Sequence, residues 1–123
     1  MSGSEWVQAA GAGGQLGLQA RAAATLTRIL ERAAGEGEGL PPIAWTVQRT
    51  DAAVVGRCHA AGRHERREEF IAWREAISRW AGQAAEVERH TDSLGTIRLR
   101  ARWEGDEGVH VSVVADIYAA DEL

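Results

Sequence analysis

Residues 96–118 read TIRLRARWEGDEGVHVSVVADIY, two alternating runs joined by an acidic turn that contains glycine. In the first run Ile97, Leu99, Ala101 and Trp103 alternate with Arg98, Arg100 and Arg102. A period of two marks a strand with one face on a core, so strands are predicted over 96–103 and 109–118. Folding EGDEG as a hairpin pairs Trp103 with Val109, Ala101 with Val111 and Leu99 with Val113. The same register sets Arg102 opposite His110 and leaves Asp116 near Arg98.

Working outward, EVERHT (86–91) precedes this pair across DSLG, whose Asp and Gly favour a tight turn. It supplies a third strand and brings Glu86 and Glu88 beside the arginine row. On the other side, RHERREEFIAWREAISRWA carries Phe70, Trp73, Ile77 and Trp80 at helical spacing. A helix is therefore predicted from His64 to Ala81, ended by Gly82. Arg66, Arg67, Glu68, Glu69, Arg74, Glu75 and Arg79 fill most of its other faces.

Further upstream, Pro41 and Pro42 hold the chain extended into IAWTVQRT, where Ile43, Trp45 and Val47 alternate with polar or small residues. After a turn at Thr50 and Asp51, AAVVGRCHA reads as the returning strand. Leu18, Ala22, Leu26, Ile29, Leu30 and Ala33 recur at three- and four-residue steps and predict an earlier helix. The run GEGEG (35–39) ends it, because glycine accepts the left-handed cap. Residues 1–15 are read as a flexible tail in which Trp6 alone could dock. Residues 16–120 make one domain, and 121–123 the C-terminal end.

The predicted class is α+β, in the order α-β-β-α-β-β-β, with an antiparallel meander sheet and two helices on one face. The expected core joins Ile43, Trp45, Val47, Phe70, Trp73, Ile77, Trp80, Leu99 and Trp103 to Leu26, Ile29 and Leu30. At 123 residues, with 45% apolar side chains and five Trp, the chain is large enough to close such a core. Its net charge of −4 does not draw the whole molecule to nucleic acid or anionic lipid. Nothing at the N-terminus reads as a secretory signal, and a cytoplasmic location is expected.

Chemistry-bearing residues concentrate in GRCHAAGRHE (56–65), which holds Cys58, His59, His64 and Glu65. A structural zinc site needs four ligands that converge, and adjacent strand residues such as Cys58 and His59 diverge. A nucleophilic Cys58 would need a base in reach and a setting that lowers its pKa. The stretch is read instead as a strand end running into a helix, with Cys58 in the core. No catalytic, cofactor or metal residue is assigned, and no enzymatic activity is expected.

The row Arg98, Arg100, Arg102 allows three readings. It is read first as a ladder of ion pairs with Glu86, Glu88 and Asp116. The second is a partner-binding face comprising Arg98, Arg100, Arg102, Val55 and Tyr118, and the third is a track for phosphates. Base stacking would need exposed aromatics, and Tyr118 alone shares the row's parity. The functional expectation is a non-catalytic protein-interaction or self-association module. Self-association is placed on an apolar edge strand or on the Val55 side of the sheet. The alternative is a nucleic-acid-associated accessory protein of a phage or mobile element.

LPPIAWTVQRT, VVGRCHA, RREEFIAWREAI, IRLRARW and VHVSVVADIY together resemble a group of small streptomycete and related actinobacterial proteins. The shared features are an LPxxxWTV strand, an FxxW helix and a valine-rich C-terminal hairpin, over about residues 20 to 118. The resemblance implies a core role for Trp45, Phe70 and Trp73 and a setting on chromosomes, mobile elements and phage. It carries no catalytic or binding residue.

Overall fold

The computed structural model describes residues 14–35, 39–48 and 51–118. Among the described residues two α-helices and five strands occur in the order α1 (Gly14–Gly35), β1 (Ala44–Val47), β2 (Ala53–Arg57), α2 (Arg63–Ala81), β3 (Glu86–Thr91), β4 (Ile97–Glu104) and β5 (His110–Ile117). The fold is α+β, with both helices on one face of a single sheet. Residues 1–13, including Trp6, lie outside the described residues. Gly14 and Gln15, read from sequence as tail, form the first turn of α1. Among the described residues no helix is long and apolar enough to cross a membrane.

The strand order is β1-β2-β5-β4-β3. Three pairings are antiparallel and one, β2 with β5, is parallel, so the sheet is mixed though mostly antiparallel. The central place of β5 follows from its composition. Val111, Val113, Val114, Ala115 and Ile117 are all buried, and a strand apolar on both faces belongs in the middle of a sheet. The His110 N–H donates to the Ala52 carbonyl at 2.8 Å and the Cys58 N–H to the Val114 carbonyl at 2.9 Å, which extends the ladder past both ends of β2.

The β4–β5 hairpin keeps its predicted parity but not its register. Trp103 faces Val111, Ala101 faces Val113 and Leu99 faces Ala115, so His110 lies opposite Glu104 rather than Arg102. The loop closes one residue later at each end, with the Gly105 N–H donating to the Val109 carbonyl at 2.6 Å. Val109 thereby leaves the ladder and packs fully buried with Ala22, Ala52 and Val54 beneath α1. That burial is the physical reason for the shift.

The main core gathers Phe70, Trp73 and Ile77 of α2 against Ile43, Ala101, Trp103, Val111, Val113, Ala115 and Ile117. Trp45 bridges to the α1 cluster and meets Trp73 edge to face, with ring centroids 5.3 Å apart. Gly56 makes room for this, because a Cβ there would lie 2.7 Å from Ile43 Cδ1 and 2.9 Å from the Trp45 ring. At the end of α2, Gly82 adopts φ 68°, the left-handed cap that glycine takes without strain. One predicted core position needs correction. Leu30 is 45% exposed, and its place on the inner stripe of α1 is taken by Thr25, whose Oγ1 accepts from Arg28 at 3.2 Å.

Trp73 is 2% exposed and its Nε1–H donates to the Pro41 carbonyl at 2.7 Å. Trp73→Ala is therefore expected to cost about 3 to 5 kcal/mol in urea unfolding. Leu30→Ala, on the exposed side of α1, should stay within about 0.5 kcal/mol.

Candidate functional site

The connection from β2 to α2 carries GRCHAAGRHE, and the structure separates its reactive side chains. Cys58 is buried, His59 is exposed, and His64 is exposed beside Glu68, with Nε2 and Oε1 3.1 Å apart. Burial, reinforced by the charge of Glu69, pushes the Cys58 thiol up to about 12. A thiol held there is protonated at neutral pH and is a poor nucleophile and ligand.

The segment is held by two charged residues whose burial the sequence reading missed. Glu69 is buried, and its Oε1 accepts from the His59 and Ala60 N–H groups at 3.2 and 3.0 Å. Arg66 is buried one turn earlier. Its Nε donates to the Asp116 carbonyl at 2.8 Å, and one terminal nitrogen donates to the Ala60 and Ala61 carbonyls at 2.7 and 3.1 Å. Together they satisfy backbone groups that would otherwise be unpaired near the core. Spacing offered a signal. Arg66 and Glu69 lie four residues before Phe70 and Trp73, so they continue the buried stripe of α2.

The sheet face opposite the helices is the second candidate. The Asp116 carboxylate receives Arg98 Nε at 2.7 Å and an Arg57 terminal nitrogen at 3.1 Å. These guanidiniums, Arg98 first, hold its pKa below the ordinary range, and the Arg98 pKa is raised in return. Arg102 lies 3.7 Å from Glu88. The ladder of ion pairs is therefore present at Arg98 and Arg102, and it is interrupted between them. Arg100 faces Glu88 on one side and Val114 on the other, yet its Nε is buried without a hydrogen-bond partner among the described residues.

Beneath this row Val114 and Ser112 are 5% and 3% exposed, although neither helix covers that face. Their neighbours across the ladders are Arg57 and Arg100 for Val114, and Val55 and Arg102 for Ser112. Val55, Arg100, Arg102, His110 and Ser112 share an open recess of about 670 Å³ that reaches Arg21 of α1. Of the five residues read as a possible partner face, Val55, Arg100 and Arg102 come together here. Arg98 is engaged with Asp116. Tyr118 lies apart, at the end of β5, with the Arg66 guanidinium 5.3 Å from its ring centroid.

Among the described residues no three His, Cys, Asp or Glu side chains converge as a metal site. Compared with protein families, with curated proteins and with solved structures, the chain finds no match.

A thiol-specific disulfide reagent at pH 8 should leave Cys58 unmodified in the native protein and label it fully in denaturant. Rapid native labelling would show an accessible thiolate. Asp116, with its folded pKa lowered, contributes stability above its unfolded pKa of about 3.9 and loses it as pH falls through the lower folded value. The stability gap between wild type and Asp116→Asn, measured by urea unfolding, should be constant above about pH 5 and close below about pH 4.

Proposed function

We propose that this protein is a non-catalytic protein-interaction module whose open sheet face receives an acidic and partly apolar segment of a protein partner. The reading rests on Arg100. It lies in the middle of the face, across the ladder from buried Val114, with a buried Nε that has no hydrogen-bond partner among the described residues. A carboxylate from outside would pair with the accessible part of this half-exposed guanidinium, to which no described carboxylate is bonded, and Val55 beside it offers an apolar contact. Arginine flanked by apolar surface is a frequent energetic centre of protein interfaces.

The nucleic-acid reading has the same arginines in its favour and their neighbours against it. Arg57, Arg98, Arg100 and Arg102 share the face with Glu86, Glu88, Glu104 and Asp116. Phosphates running along this sheet would meet as many carboxylates as guanidiniums. A partner that reads one arginine locally fits the pattern better than one that needs a continuous positive track.

The test is an NMR titration of the arginine Nε–H signals with a short peptide alternating Glu and Leu, beside a DNA duplex. The peptide should shift Arg100 foremost, and Arg100→Gln should abolish the response while changing stability by less than about 0.5 kcal/mol. A response to the duplex that falls steeply with salt, with none to the peptide, would overturn the proposal in favour of nucleic acid.

A further inference from the structure

The sheet has two free edges, and they are not alike. β1 is four residues long and follows Pro41 and Pro42. β3 is six residues long and every one of them is exposed. Edge strands are commonly guarded by proline, charged side chains (lysine above all), a bulge or a covering element. The sequence EVERHT has neither proline nor lysine, its charges at Glu86, Glu88 and Arg89 are of both signs, and its register with β4 runs unbroken from Glu86 opposite Arg102 to Thr91 opposite Ile97.

The turn after β3 shows which of its backbone groups face outward. The Asp92 N–H donates to the Thr96 carbonyl at 3.0 Å, which makes these two a hydrogen-bonded pair. Such pairs alternate along an antiparallel ladder, so His90, Glu88 and Glu86 turn their N–H and C=O groups toward β4. Val87, Arg89 and Thr91 turn theirs away, toward the open edge.

We propose that a second copy of the chain pairs at this edge, β3 against β3, antiparallel about a two-fold axis at Arg89. In this register Arg89 exchanges both backbone bonds with Arg89 of the partner subunit. Val87 does the same with Thr91 of the partner subunit, and Thr91 with the partner's Val87, so every outward group of the three is used. On the open face Glu88 lies opposite His90 of the partner subunit. On the helix side Val87, 47% exposed in the single chain, gains the methyl of the partner's Thr91. The other symmetric registers use fewer of these groups; centres at Glu88 or His90 pair only two of the three outward residues. A centre at Val87 sets Glu86 against the partner's Glu88, and a centre at Thr91 runs Arg89 past the end of the strand.

The pairing joins the two five-stranded sheets into one, with the helices of both copies on one side and both arginine rows on the other. It uses an edge, not the face proposed for the acidic partner, and the two ideas stand or fall separately. One feature works against it and gives a signed test. The two Arg89 side chains lie directly opposite each other, and like charges in that position are unfavourable.

Sedimentation of the wild-type chain should show a concentration-dependent dimer. Arg89→Thr should tighten it by roughly 2- to 5-fold through loss of the opposed charges. Val87→Lys combined with Thr91→Lys sets lysines opposite each other at both ends and should give a monomer with an unchanged circular dichroism spectrum. Arg89→Cys should cross-link to a covalent dimer on mild oxidation, since paired Cα atoms about 5.5 Å apart lie within disulfide reach. It should do so far faster than Ile71→Cys on the exposed side of α2, and buried Cys58 does not compete. Arg100→Gln should leave the dimer intact. A chain that stays monomeric, with Arg89→Cys no faster than Ile71→Cys, would overturn the pairing. So would a dimer indifferent to Arg89→Thr and to the double lysine variant.

Discussion

The structure depends on β5 being buried on both faces while, among the described residues, helices lie on one face of the sheet alone. Toward the helices, Val111, Val113, Ala115 and Ile117 meet Phe70, Trp73 and Ile77 as an ordinary close-packed core. Among the described residues no helix lies over Val114 on the other face, and Arg57 and Arg100 of the neighbouring strands flank it from either side. Arginine suits this task, because its stem is apolar enough to lie on a valine while its head remains near water. The face is thus at once part of the core and a charged surface.

Two consequences follow for the charges. Arginines placed to cover β5 need counter-charges, and Asp116 provides one carboxylate for both Arg57 and Arg98. Arg100 gains no equivalent, because Glu88 across the ladder lies near Arg102. The position most central to the cover is the one left without a bond at Nε. Beside Asp116, on the helix side, the logic is inverted. Arg66 and Glu69 are drawn inside to satisfy backbone groups of the 58–61 connection, and Cys58 beside them is buried and protonated. Among the described residues charge is thus used structurally both on the open face and within the 58–61 connection.

Much of this was legible in the sequence, for a local reason. Alternation at 96–103 and 109–118 and the helical spacing of Phe70, Trp73 and Ile77 declare which side chains face the core, because those periods are properties of the backbone. Element order, the meander of the last three strands, and the meeting of Glu86 and Glu88 with the arginine row were all readable at that level. Leu30 shows where such a reading stops. It belongs to the apolar stripe of α1 by spacing, yet the surface available under that helix is narrower than the stripe and admits Thr25 instead.

What the sequence determined by itself was therefore the inventory: two helices, five strands, the parity of each and the sign of each face. Only the tertiary structure decided which strands are neighbours. Periodicity is blind to the partner across a ladder, so the parallel pairing of β2 with β5 carried no local mark. Neither did the two-residue shift of the β4–β5 register, which keeps every side chain on its predicted face and was set by the burial of Val109 under α1. The isolation of Arg100 arises the same way. Whether a guanidinium finds a carboxylate depends on distances across three strands, and those exist only once the sheet has closed.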